Sequence, residues 1–117
     1  MQQPQAGALG EGIAASYLEL QGYDIVARGI RIAGVQVDLV VRAGSTLVVV
    51  EVKLRRTSRA VAADGLGLAQ RRRLGRAASA LLARDRSADC VRIDAVGIDV
   101  APHGLQLQHW TGIAAGD

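Results

Sequence analysis

Residues Val35 to Arg55 read VQVDLVVRAGSTLVVVEVKLR, two apolar runs joined across Ala43-Gly44-Ser45. Val and Leu crowd both runs and Gly44-Ser45 is turn chemistry, so the stretch predicts two strands in an antiparallel hairpin. Charge interrupts it at Asp38 in the first run and at Glu51 and Lys53 in the second, where a buried sheet favours Val. Side chains alternate faces along a strand, so Glu51 and Lys53 share one face while Val48, Val50, Val52 and Leu54 take the other. With Ala43 to Thr46 as a four-residue loop, Arg42 faces Leu47 and Asp38 faces Glu51. A shorter loop would shift the register by one and carry Asp38 to the wrong face. A longer turn or a bulge is therefore required if the two carboxylates and the ammonium are to share a patch.

Two carboxylates a few ångströms apart bind a hard divalent cation such as Mg²⁺ or Mn²⁺, with water and a substrate phosphate completing the shell. Such a cation activates water and neutralises charge on a phosphodiester. A lysine farther along the same face would hold the attacking water or stabilise the developing oxyanion. An ordinary Glu51–Lys53 salt bridge on a solvated face is the plainer alternative, and the D-x12-E-x-K spacing alone does not decide between them.

The chain of 117 residues suits a single domain, 1–117, with an aliphatic core, since half its residues are hydrophobic and only three are aromatic. No apolar run approaches the roughly 18 residues that span a membrane. The opening MQQPQAGALGEG lacks the basic region and apolar core of a signal peptide. Cys90 is a lone cysteine and no Cys/His spacing suggests zinc. A cytoplasmic protein with no membrane partner is expected. Charge is unevenly placed: Lys53 to Arg86 holds ten basic residues against Asp64 and Asp85, while the remainder holds four arginines against nine acids. A basic zone directly after the candidate strand is the footprint of a polyanion partner, nucleic acid and most simply DNA. Within it Arg55, Arg56, Arg59, Arg72, Arg73 and Arg76 are the candidate phosphate contacts; a solvated, arginine-rich helix face is the alternative.

Ala8 to Gln21 reads as a helix with Leu9, Ile13, Tyr17 and Leu20 at helical spacing beside Ala14 and Leu18. Glu11 falls in its first turn, where an acid complements the helix dipole. The glycines of Gly7 to Gly12 are in the wrong order for a dinucleotide fingerprint and follow no strand, so no organic cofactor is expected. Strands follow at Tyr23 to Ile32, Gln36 to Arg42 and Thr46 to Arg55, and then an irregular stretch, Arg56 to Gly67, placed to close over a substrate. A second helix, Leu68 to Arg84, buries Leu74, Ala77, Ala78, Leu81 and Leu82 and turns Arg72, Arg73 and Arg76 outward. Gly75 costs that helix about 1 kcal/mol unless it allows close packing. Strands at Val91 to Val100 and Leu105 to Trp110 complete the order α-β-β-β-α-β-β, with residues 1–6 and 112–117 as disordered tails. The fold class is α/β (α+β): a mixed central sheet flanked by two helices, with the third and fourth strands parallel across the second helix.

An acid in the second strand and E-x-K in the third, in that order of elements, resemble the PD-(D/E)XK nuclease superfamily, of restriction-endonuclease-like fold. The chain is similar in particular to the small bacterial YraN-type family, itself similar to Holliday-junction resolvases. The resemblance covers about residues 7 to 110. It rests on Gly10-Glu11, Tyr17-Leu18, Gly22-Tyr23, Val37-Asp38-Leu39, Val50-Glu51-Val52-Lys53 with Arg55, Arg73-Leu74 with Ala77-Ala78, and Arg92-Ile93-Asp94. It implies a Mg²⁺- or Mn²⁺-dependent endonuclease. Asp38, Glu51 and the Val52 carbonyl would be metal ligands, Lys53 the catalytic base or stabiliser, and Glu11 an accessory acid. It also implies a homodimer, for which the apolar last strand offers an edge. The chain departs from the family pattern at Val35-Gln36, where Gly-Glu is usual, at Gly29, usually Asn, and at Gln70, usually Lys. Gln36 removes one negative charge beside Asp38 and is at most an accessory oxygen donor. The alternative function is a nucleic-acid-binding module of the same fold whose chemistry has weakened; a protein-interaction domain without salt-dependent DNA affinity is the blandest possibility. His103 and His109 are expected as surface or partly packed residues, Trp110 at a core edge or a subunit contact, and Cys90 as a small buried residue.

Overall fold

Among the described residues the chain forms five strands and two helices. The computed structural model of the chain describes the backbone of residues 2–56 and 66–116, with side chains from residue 7 onward in those ranges. Its elements are α1 (Gln2–Leu20), β1 (Asp24–Ile32), β2 (Val35–Ala43), β3 (Thr46–Arg55), α2 (Leu68–Arg84), β4 (Cys90–Ala101) and β5 (Gly104–Trp110). The order matches the α/β arrangement read from the sequence. The sheet runs β1-β2-β3-β4-β5. Only β3 and β4, the pair joined through α2, are parallel.

A helix on each face explains why β3 is a run of Val rather than an alternating strand. Val40, Leu47, Val49, Leu74, Ala77 and Ile93 are among the residues packed between sheet and α2. Ala14, Leu18, Val41, Val48, Val50 and Ile98 are among those between sheet and α1. Leu47, Val48, Val49 and Val50 are wholly buried as a result. The described residues include no helix long and apolar enough to cross a membrane.

α1 differs from expectation at both its start and its face. Its backbone is helical from Gln2, so the segment expected as a disordered lead-in extends the helix, and Glu11 lies in its interior rather than its first turn. Leu9 and Leu20, expected in the buried stripe, are 45% and 85% exposed. The line that meets the sheet is Gly10, Ala14 and Leu18 instead. A Cβ at Gly10 would stand 3.2 Å from Val52 Cγ1, so the missing side chain lets α1 press directly on β3.

The C-terminal segment is likewise no tail over residues 112–116. Gly112 N–H donates to Asp94 Oδ1 (3.1 Å) and Ile113 N–H to the Ile93 carbonyl (2.8 Å). Ala115 fills the space beside Gly75, where a Cβ would come within 2.8 Å of the Ala115 Cβ. Close packing thus accounts for a glycine inside α2.

The β2–β3 turn is also shorter than required: Ala43 pairs with Thr46, leaving only Gly44-Ser45 between the strands. The register nonetheless has Arg42 opposite Leu47 and Leu39 opposite Val50. Shortening a loop by one residue at each end keeps its centre, so the feared one-residue shift does not arise.

Candidate active site

The β2–β3 ladder is recorded as far as Leu39 and Val50. Beyond it the Val52 N–H donates to Asp38 Oδ2 at 2.7 Å, so a carboxylate takes the place of a strand carbonyl. N–H and C=O of one strand residue point to the same side, which leaves the Val52 carbonyl facing that carboxylate too. The alternation of β2 slips at this point: Val35, Val37 and Val40 pack under α2, whereas Leu39 and Val41 pack under α1. The irregularity sits in the strand at Asp38, and the β2–β3 register needs no longer turn. On β1, between the pairs Arg28–Leu39 and Ile30–Val37, lies Gly29 with φ +54°. That left-handed backbone suits glycine, and a Cβ there would stand 3.7 Å from Glu11 Oε1.

Asp38, Glu51 and Lys53 of the hairpin meet Glu11 of α1 and Gln36 of β2 around one cleft of about 720 Å³. Three carboxyls share its electrostatics. Burial and then the Asp38 charge push the Glu51 carboxyl up to about 7, against the opposing pull of Lys53 and Arg73. Burial also raises Asp38, outweighing the Val52 N–H, Lys53 and a hydrogen bond with Glu51. Glu11 is raised by burial and by Asp38, with Arg28 acting the other way. Ionising Glu51 beside Asp38 is thus disfavoured. Gln70 fixes the geometry of the pair, its Nε2 donating to Glu51 Oε2 at 2.5 Å.

Oxygen donors that repel each other when ionised, with a carbonyl on the same side, suit a hard divalent cation. The described residues hold no group of three His, Cys, Asp or Glu able to enclose an ion. A cation held by two carboxylates and a carbonyl would have to take the rest of its shell from water or substrate oxygens. Gln36 lines the same cleft as an exposed neutral amide.

Of the candidate phosphate contacts, Arg55 lines this cleft and Arg73 reaches Glu51 electrostatically. Arg56 is exposed just beyond β3, and Arg72 and Arg76 are exposed on α2. Arg59, with most of the proposed closing stretch, lies outside the described residues. Sequence reasoning did not assign Gln70 a role. Its place one turn before Leu74 on the buried stripe of α2 is the signal that aims it at the sheet. Arg28, near Glu11, was missed as well, for want of any local pattern.

A second polar cluster lies on the α1 face of the sheet. Arg92 holds the wholly buried Asp94 with two bonds, Nε to Oδ1 at 2.8 Å and Nη2 to Oδ2 at 2.9 Å. His109 Nε2 donates to Asp94 Oδ2 at 2.8 Å, which leaves Nδ1 to accept from the Tyr17 hydroxyl at 2.9 Å. Arg92 also reaches the Tyr23 hydroxyl (2.5 Å). Burial pushes Asp94 up, but hydrogen bonds from Arg92, His109 and Gly112 together hold it below the usual range. His109 is thus partly packed as expected, while its partners were not foreseen. Trp110 packs at the edge of the α2-side core. Cys90 is exposed rather than buried, because β4 opens at the sheet's end beside Thr46.

The chain matches the model of the uncharacterised protein family UPF0102 over residues 10–98. A UPF0102 protein of Chlorobium chlorochromatii is 37% identical over 110 residues, 92% of this chain and 84% of the relative. One of Geobacter sulfurreducens is 39% identical over 114 residues, 90% of this chain and 84% of the relative. A third, of Symbiobacterium thermophilum, is 39% identical over 103 residues and 86% of each. The chain belongs to this family. The matched span holds Glu11, Asp38, Glu51 and Lys53; His109 lies outside it.

Proposed function

We propose that this member of the UPF0102 family is a divalent-metal-dependent endonuclease that hydrolyses DNA phosphodiester bonds, with branched structures among its candidate substrates. The observation that carries the proposal is the convergence of Asp38 and Glu51 with Lys53 in one cleft, both carboxyls held above their ordinary range. The element order and the D…E-x-K pattern support a PD-(D/E)XK nuclease, as the resemblance implied.

Asp38, Glu51 and the Val52 carbonyl are the proposed ligands of Mg²⁺ or Mn²⁺. When bound, such a cation supplies Lewis-acid activation of water and neutralises charge on the phosphate. The Val52 N–H orients Asp38, and Gln70 orients Glu51. The Lys53 ammonium, on the Glu51 side of β3, holds the attacking water or donates to a phosphate oxygen as charge develops. Glu11 adds a third carboxylate from α1. Arg55 and Arg73 lie at the cleft, with Arg56, Arg72 and Arg76 nearby as phosphate contacts, and Arg59 completes the proposed set. The proposal extends to the cytoplasm as its compartment and to a homodimer paired through the edge strand β5. A monomer by light scattering, with and without DNA, would remove the dimer.

The second reading, a binding module with weakened chemistry, is favoured by one observation: Gln36 puts a neutral amide in the cleft where a further carboxylate would strengthen metal binding. Cleavage of labelled duplex, single-stranded, flap and four-way-junction DNA with Mg²⁺, Mn²⁺ or EDTA decides between them. A nuclease cuts only with metal, and loses cutting in Asp38→Ala and Lys53→Ala. A binder cuts nothing, retains DNA in a salt-sensitive way, and binds equally or better after Asp38→Ala.

A further inference from the structure

The cleft continues past its carboxylates. A second lobe of about 290 Å³ adjoins the larger one, and Gln36, Asp38, Glu51 and Gln70 line both. Beyond those four, the larger lobe has Glu11, Lys53 and Arg55. The smaller is closed by Gly34 and Val35 at the β1–β2 turn and by Arg73 and Leu74 of α2. Its volume is at the lower end of the roughly 300–1,000 Å³ typical of small-molecule sites.

The chemistry of the smaller lobe is mixed in a specific way. Arg73 is its one cation among the described lining residues, is exposed, and already interacts with Glu51 across the shared wall. Val35 and Leu74 back the lobe from the core, 5% and 1% exposed, and leave its surface mainly polar. Gln36 and Gln70 supply amides, each able to donate and accept. A bare anion needs only the guanidinium. A nucleotide unit uses both kinds of group: phosphate on the arginine, polar sugar and base edges on the amides.

We propose that the smaller lobe is a nucleotide subsite, which holds the nucleotide beside the scissile phosphate with Arg73 on that nucleotide's own phosphate. The proposal rests on the nuclease assignment of the larger lobe. It gives Arg73 a substrate-positioning role distinct from the general attraction exerted by Arg72 and Arg76 on the same helix. It also requires the strand to continue on both sides of the carboxylate pair, as internal cleavage demands.

The test is titration of the ¹⁵N-labelled protein with 5′-phosphorylated dithymidine in EDTA, where no cleavage can occur. The expected result is shifts at the Gly34 backbone amide and at the Gln36 and Gln70 side-chain amides. Affinity should fall about tenfold in Arg73→Gln, the loss of one charge-assisted contact, while Arg84→Gln, in the last turn of α2 and outside the proposed contacts, keeps the shifts at those amides. Shifts confined to the outer face of α2, or identical titrations for Arg73→Gln and wild type, would overturn the subsite. Because the readout needs no chemistry, a protein that cuts no DNA but shows this Arg73-dependent pattern would lose the nuclease assignment and keep the subsite.

Discussion

The sheet carries Asp94, wholly buried, and Asp38, partly buried at the cleft, and treats them in opposite ways. Asp94 on β4 accepts from Arg92 twice, from His109 and from the Gly112 N–H, and is held below the usual carboxylate range. Asp38 on β2 accepts from the Val52 N–H, lies beside two further acids, and is held above it. One carboxylate is satisfied by the fold; the other is held by the fold at a cost. Strain of the second kind persists where surrounding structure over-determines it, and such places concentrate at functional sites. The difference separates a structural clamp, tying α1 to β4 and β5, from a cleft built to receive charge.

The sharpest way to break this comparison is one substitution made at both positions. Asp94→Asn leaves the partly exposed Arg92 beside a neutral partner and should cost roughly 1–3 kcal/mol of stability, read as a fall in the denaturation midpoint. Asp38→Asn keeps an acceptor for the Val52 N–H and removes repulsion with Glu51. It should unfold no more readily than wild type, yet lose on the order of 10²–10³-fold in metal-dependent DNA cleavage. Equal destabilisation by both variants would erase the distinction.

A cation should distinguish the clusters next. Mg²⁺ or Mn²⁺ at about one hundred times its dissociation constant stabilises a folded state that alone binds it by about 2.7 kcal/mol. A thermal shift of that origin should appear in wild type and in Arg92→Lys, and should vanish in Asp38→Asn. A shift that persists in Asp38→Asn places the ion elsewhere.

Acidity separates the clusters by a smaller amount. Glu51 titrates near 7 in the folded chain, against an ordinary value of 4.5. Between those values the folded state binds the extra proton, so its contribution to stability falls as pH rises through the window and is flat above it. Glu51→Gln removes that loss. It should therefore stabilise the protein more at pH 8 than at pH 5, by an order of 1–3 kcal/mol after allowance for partial solvent access. Asp94 has the opposite sign, adding stability that is lost only in acid. An equal effect of Glu51→Gln at both pH values would mean that the Glu51 carboxyl is not raised in the folded chain.

Much of this was legible in the sequence because the signals were local. Val35 to Arg55 specified a hairpin, but it joined Asp38 to Glu51 and Lys53 only through a four-residue loop or a bulge, whereas the turn is Gly44-Ser45 alone. The errors arose where a distant partner decides the outcome. Leu9 and Leu20 look like core residues until Gly10 brings the helix onto β3 along a line of small residues. Residues 112–116 look like a tail because their docking depends on a gap at Gly75, nearly forty positions away in sequence. His109 has no local partner at all; Asp94 and Tyr17 reach it only through the sheet.

A third aspartate, buried like Asp94, sharpens the comparison with the smallest expected effect. Asp99 on β4 is 1% exposed, and neither of its carboxylate oxygens has a hydrogen-bonding partner among the described residues. It pairs in register with Arg55, which is exposed, and so lies on the side of the sheet that carries Glu51 and Lys53. It resembles Asp38 in lacking the donors that surround Asp94, but it lines neither lobe of the cleft. If burial without partners is simply a cost, Asp99→Leu should raise the denaturation midpoint by an amount equivalent to about 1–2 kcal/mol and leave DNA cleavage intact. A lower midpoint would mean that Asp99 holds a cation in solution, with Arg55 the nearest candidate along the ladder, and would group it with Asp94 as part of the frame. Unchanged stability with impaired DNA binding would instead tie Asp99 to the arginine that faces the substrate.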